Sequence, residues 1–208
     1  MHRLARPLRR VLPLALACAL LACTPDTVDP LVEAGEDLLE AFDPASNPDE
    51  GFGALNRLVA EQPALAAEVA AGLLGAEEAD TRYAAVYVLA LTAVDREEVG
   101  ALRTVLESDT PHLRAIAATS LLGLGELGAI PVLIELLVAT DEIPASRPSM
   151  FVDRFSSEAL TAYTGENFGV VEAAGSTARM RAQERWRSWY ARVRDTLHWN
   201  PEARRYEA

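Results

Sequence analysis

The chain has no lysine. All 19 of its basic residues are arginine, set against 31 Asp and Glu, and the formal charge at pH 7 is −12. That balance argues against a nucleic-acid partner and, over most of the surface, against anionic lipid, because both are drawn to a positive field. Histidine and cysteine are also scarce, with 3 and 2 residues, and aromatics make up 6%. No cysteine follows Cys23, so no disulfide partner for it lies downstream. Long apolar runs are missing too. The uncharged stretch Val11 to Leu21 ends after 11 residues, short of the roughly 20 needed to span a bilayer.

What the N-terminus does contain is a cluster of His2, Arg3, Arg6, Arg9 and Arg10, then that apolar stretch, then Leu20-Leu21-Ala22-Cys23. A positive region, a short apolar core and small residues before a cleavage point form a secretory signal. With Cys23 closing the run, the segment resembles the lipobox of a bacterial lipoprotein precursor; Ala17-Cys18 is a second candidate with poorer flanks. The resemblance implies cleavage before Cys23, acylation of its thiol and new amino group, and a mature chain with 15 Arg against 31 acids, net −16. Thr24 rather than Asp follows Cys23, which by the enterobacterial sorting rule implies the outer membrane.

Charge is unevenly distributed after the signal. Residues 23–146 hold 5 Arg against 23 acids, whereas 147–208 hold 10 Arg against 8 acids. Residues 24–50 carry nine acids, four prolines and no base, a composition suited to a solvated tether. Within it, Asp29-Pro30 is placed to cap a short helix with Leu31, Ala34, Leu38 and Phe42 on one face.

From 52 to 140 the chain reads as helix throughout. Apolar residues recur at three and four, and the spacing predicts helices at 52–60, 63–74, 80–93, 96–108, 111–124 and 127–139, joined by short links into antiparallel hairpins. Thr110-Pro111 is an N-cap with proline at the first helical position, and Gly125 and Gly128 flank a tight turn. Setting Arg82 over Arg114 aligns Ala85-Val86 with Ala117-Ala118 and Leu89 with Leu121. A second helix follows each: Val99, Leu102 and Leu106 in one copy, Ile130, Leu133 and Leu137 in the other. The segment Asp109-Thr110-Pro111-His112-Leu113-Arg114, with Leu124-Gly125 and Ala129-Ile130-Pro131-Val132-Leu133, resembles a HEAT repeat of the short, lyase-associated type. Residues 52–75 look like a degenerate first copy. The resemblance implies an all-α fold, a short solenoid of stacked helix pairs.

A two-repeat stack needs a closing element, and the C-terminus is expected to supply it. Phe151 to Tyr163 is amphipathic, with Phe155, Ala159, Leu160 and Tyr163 on one side, and ends at Thr164-Gly165, where glycine takes a left-handed cap. Thr164-Gly165, Phe168-Gly169 and then Trp186 and Trp189 resemble the tail of bacterial envelope HEAT proteins. The longer spacing here suggests a loop at Ala173 to Thr177. Phe168, Trp186 and Trp189 are assigned as the structural cap, with both tryptophans packed on the Phe151–Tyr163 helix. Trp186, Trp189 and Tyr190 form a packing face in preference to a stacking platform for sugar or peptide.

Catalytic groupings are thin. His112 and His198 have no carboxylate or second histidine at helical spacing, and no nucleophile elbow or phosphate-cradling loop occurs. Glu77-Glu78-Asp80 and Asp95-Glu97-Glu98 read as helix-start charges rather than acid/base pairs. From Arg179 to Arg205 there are 8 Arg against 3 acids, which pair with the acidic body or solvate the cap, or else meet phosphate head groups or an acidic partner. The domains read as a signal over 1–22, an acidic tether with a short helix over 23–50, HEAT-like repeats over 51–146 and a cap over 147–208. The expected function is that of a non-catalytic, lipid-anchored interaction module of the cell envelope, holding an envelope protein or peptide. An accessory role beside a lyase-like enzyme and a purely structural role are the alternatives. Arg103, Glu107, Glu135, Arg181, Arg185 and Arg192 are its candidate binding residues and Cys23 its lipidation site. No catalytic residue, metal or cofactor is assigned.

Overall fold

The computed structural model describes residues 30–44, 48–93, 96–108, 110–144, 146, 148–169 and 175–208; Cys23 and the signal expected over 1–22 lie outside them. The fold is almost wholly helical. In chain order the helices are α1 (Pro30–Glu40), α2 (Pro48–Glu61), α3 (Pro63–Gly72), α4 (Ala79–Thr92), α5 (Arg96–Val105), α6 (Pro111–Gly123), α7 (Ala129–Leu136), α8 (Val152–Thr164) and α9 (Ser176–Val193). Four of them open on proline, whose fixed φ and missing N–H suit the first helical position. Thr110 holds the extended backbone expected before α6, but its side chain makes no capping bond.

Helix ends fall short of expectation after α5 and α7. The N–H groups of Leu106, Glu107 and Ser108 bond three residues back, and so do those of Leu137 and Ala139. These turns tighten out of α geometry, as orphan terminal carbonyls often force.

Neighbouring helices pack on one another. α4 lies against both α2 and α6, and α6 against both α4 and α8, while α3 packs on α4, α5 on α6 and α7 on α8. The internal repeat has a physical counterpart here. Arg82 donates to the carbonyls of Ala76 and Glu77, at 2.6 and 2.7 Å, and Arg114 donates to the carbonyl of Leu106 at 3.0 Å. Each arginine therefore ties the start of its helix to the segment just before it. The aligned Ala85, Val86, Ala117, Ala118, Leu89 and Leu121 are all buried. Small residues at those points let α4 and α6 approach, and leucines fill the space between them.

α1 belongs to this packed body, docked on α3 and α4. Its inner face is only partly the expected one: Phe42 is buried and Leu38 partly so, but Gly35 and Leu39 are buried as well and Ala34 is exposed. Gly35 determines the difference, because Val69 of α3 sits where a β-carbon would meet it at 3.1 Å.

The C-terminal segment departs most from expectation. α9 begins earlier than the arginine cluster, so Ser176 and Thr177 are helical, and residues 173 and 174 of the expected loop lie outside the described residues. α9 packs on α7; it also reaches α8, through the Arg179–Asp153 ion pair at 3.7 Å, and Trp186 and Trp189 share a buried cluster with Ala159 and Leu160. Phe155 joins Ala115, Leu136, Ile143 and Val152 in a separate small core, away from the tryptophans. Gly165 does take the left-handed cap, at φ 73°. After α9 the chain forms a hairpin of β1 (His198–Asn200) and β2 (Arg205–Glu207), antiparallel, with Trp199 opposite Tyr206. Strands of three residues carry too little periodicity to be read beforehand.

That hairpin folds back over the end of α6. Tyr206 donates to the carbonyl of Leu122 at 3.2 Å, and Trp199 covers Gly125, which has φ +89°. Tyr163 of α8 covers Gly123 in the same manner. No described helix is long and apolar enough to cross a membrane.

Candidate functional site

α9 is fixed to the body by Gln183, by the Arg179–Asp153 ion pair at 3.7 Å and by three aromatics. Gln183 is buried and donates to the carbonyls of Ile134 and Glu135, at 3.0 and 2.9 Å. Those carbonyls belong to the last turn of α7, past the reach of i+4 donors; that of Ile134 accepts only a long bond from the Leu137 N–H, at 3.4 Å, besides Gln183. Trp186 is fully buried; Phe168 meets it edge-on at 4.8 Å and Trp189 at 5.4 Å. Phe168 therefore sits beside the tryptophans, filling the space beyond the α8 cap.

With that face buried, the opposite one is free. At 100° per residue, Arg181, Arg185, Ser188 and Arg192 fall within about 60° of each other, and all four are exposed. The Arg185 guanidinium donates to the carbonyl of Arg181 at 3.3 Å, holding it along the helix. The structure thus collects three of the expected binding residues into one row. A second flank of α9 carries Arg187 and Arg194, which with Tyr190, Pro131, Ile134 and Glu135 line an open cleft of about 360 Å³ between α7 and α9.

The candidates on and beside α5 and α7 are placed differently. Arg103 of α5 is paired with Glu126 in the α6–α7 turn at 2.6 Å, and Glu135 of α7 with Arg114 of α6 at 2.8 Å. These are links between neighbouring helices, exposed enough that each contributes less than about 1 kcal/mol. Only Glu135 also reaches α9, through the cleft. Glu107 is exposed beyond the end of α5.

Elsewhere the titratable groups are packed structurally. Tyr83 donates to the carbonyl of Pro144 at 3.1 Å, and burial, reinforced by Tyr87, pushes its hydroxyl up to about 12. His112 stands edge-on to Tyr83 at 5.7 Å. Burial holds its imidazole below the usual histidine range, while the Asp141 and Asp80 carboxylates pull it the other way. Among the described residues no three His, Cys, Asp or Glu converge as metal ligands.

No family model matches the chain, and no curated protein and no solved structure is found to be similar to it. The anchoring of α9 was missed in the sequence: Gln183 was given no role there, and its spacing of 3 from Trp186 is the signal that puts it on the buried side.

Proposed function

We propose that this chain is a non-catalytic interaction module of the bacterial cell envelope, anchored through lipid on Cys23 and carrying a short HEAT-like solenoid whose terminal helix α9 receives an acidic partner. The observation that carries the reading is the row Arg181, Arg185 and Arg192, exposed on the outer side of a helix that is itself firmly bound to α7. A rigid helix presenting planar, five-donor guanidinium groups suits carboxylate recognition. The repeated bonds of Arg82 and Arg114 and the pairwise helix packing support the solenoid; the lipobox-like Leu20-Leu21-Ala22-Cys23 supports the anchor.

The test is affinity capture from detergent-solubilised membranes with the wild-type chain and with Arg181→Glu/Arg185→Glu/Arg192→Glu. A defined protein retained by the first and lost by the second is expected. Equal capture by both would remove α9 as the docking surface, and a coloured or small-molecule-bearing preparation would favour the enzyme-accessory reading instead.

A further inference from the structure

The helices at the two ends of the packed body carry opposite charge on their outer faces. On α1, Glu33, Asp37 and Glu40 are exposed and follow at i, i+4 and i+7, forming a row about 10 Å long. Glu36 is half-buried beside it. On α9, the arginine row repeats the same i, i+4, i+7 spacing through Ser188 and extends to Arg192, about 16 Å in all. Among the described residues neither row is ion-paired; the α9 arginines that pair are Arg179, with Asp153, and Arg194, with Asp195.

The two rows do not meet within one molecule. α1 packs on α3 and α4, α9 packs on α7, and the α4–α5 and α6–α7 pairs lie between them in chain order and in packing. We infer that the arginine face of α9 docks on the acidic face of α1 of a second copy, so that anchored molecules associate head to tail. The inference rests on reading α9 as a docking surface, and names the chain itself as the partner. Each copy would use one acidic and one basic end, leaving the complementary end open for the next. Such a heterologous contact grows into short chains or closes into a ring.

Charge complementarity selects this occupant over anionic lipid. A phosphate surface would attract the α9 row but repel the acidic remainder, with 5 Arg against 23 acids over 23–146. Exposed ion pairs are individually weak and screened by salt. Confinement to one membrane raises the effective concentration of ends towards the millimolar range, where weak contacts become occupied.

The full chain in non-ionic detergent tests this by sedimentation velocity at low salt and at about 1 M NaCl, where the Debye length shrinks to about 3 Å. Species larger than the micelle-bound monomer should form at low salt and disappear at high salt; micelle clustering alone would not respond in this way. Arg181→Glu/Arg185→Glu/Arg192→Glu and Glu33→Arg/Asp37→Arg/Glu40→Arg should each abolish association, with helical circular dichroism unchanged because every position is exposed. Mixing the two variants should restore it, since acidic α9 then meets basic α1. Failure of the mixture to associate, or association surviving in either variant alone, would overturn the inference. So would a monomeric wild type that binds phosphatidylglycerol vesicles through α9. A monomeric wild type that still captures a different protein through α9 would overturn the self-association and leave the proposed function standing.

Discussion

Replacing Gly125 with alanine perturbs two terms at once, and the structure allows them to be separated. Gly125 has φ +89°, and a β-carbon there would lie 3.0 Å from both Cδ1 and Cγ of Trp199. Forcing an L-residue into the left-handed region costs about 1–2 kcal/mol. Driving a methyl group into a packed ring adds about 1–3 kcal/mol. Urea unfolding followed by circular dichroism should therefore show Gly125→Ala less stable by about 2–5 kcal/mol, the sum of those terms. In a Trp199→Ala background the ring is gone, and only the backbone cost of about 1–2 kcal/mol should remain. The double-mutant cycle should then return a coupling of about 1–3 kcal/mol. Two results would refute the reasoning. A cost below about 0.5 kcal/mol would mean the turn is not left-handed, and additivity within about 0.5 kcal/mol would mean Trp199 does not rest on it.

Leu121 is fully buried between helices, so Leu121→Ala should lower stability by about 2–5 kcal/mol in urea melts; a loss under about 1 kcal/mol would place it outside the core. Burial holds the folded pKa of His112 below its ordinary 6.5, so the unfolded chain binds the extra proton first. The stability it contributes is present above pH 6.5 and is lost as pH falls through the lowered folded value. The urea midpoint of the wild type should therefore drop between about pH 7 and pH 5 more steeply than that of His112→Gln, and parallel curves would show that His112 is not the group responsible. Cys23→Ser should lose fatty-acid incorporation and detergent-phase partitioning, and a variant that keeps both would show that the anchor lies elsewhere.

Helix positions were legible where the signal is local. The 3.6-residue period and the Pro and Gly punctuation located α4 to α7 closely, and the alignment of Arg82 with Arg114 proved to mark two arginines doing the same task. Helix ends were overestimated because apolar residues such as Leu106 and Leu137 continue the period through turns that bond three residues back. The face of α1 was read only in part, through Leu38 and Phe42, because a glycine rather than a large apolar residue makes its closest approach.

The rest depended on partners distant in sequence. Tyr206 bonds a carbonyl 84 residues away, and Trp199 rests on Gly125; neither contact leaves a trace in its own neighbourhood. For the candidate site, the abundance of arginine near residue 185 was visible, but its division into an exposed row and a cleft was not. That division follows from Gln183, Trp186 and Trp189, which fix how α9 is rotated against α7.

The arginine row as a docking surface is tested most directly by photocross-linking from its centre. Ser188 is exposed between Arg185 and Arg192, so a photoreactive residue replacing it in the anchored, full-length protein probes only what covers that face. Irradiation of intact cells should give a discrete adduct from position 188 that is absent from the exposed position 104 on α5 and disappears with Arg181→Glu/Arg185→Glu/Arg192→Glu. A chain that stays uncross-linked from 188, or gives the same adducts from both positions, would contradict the account.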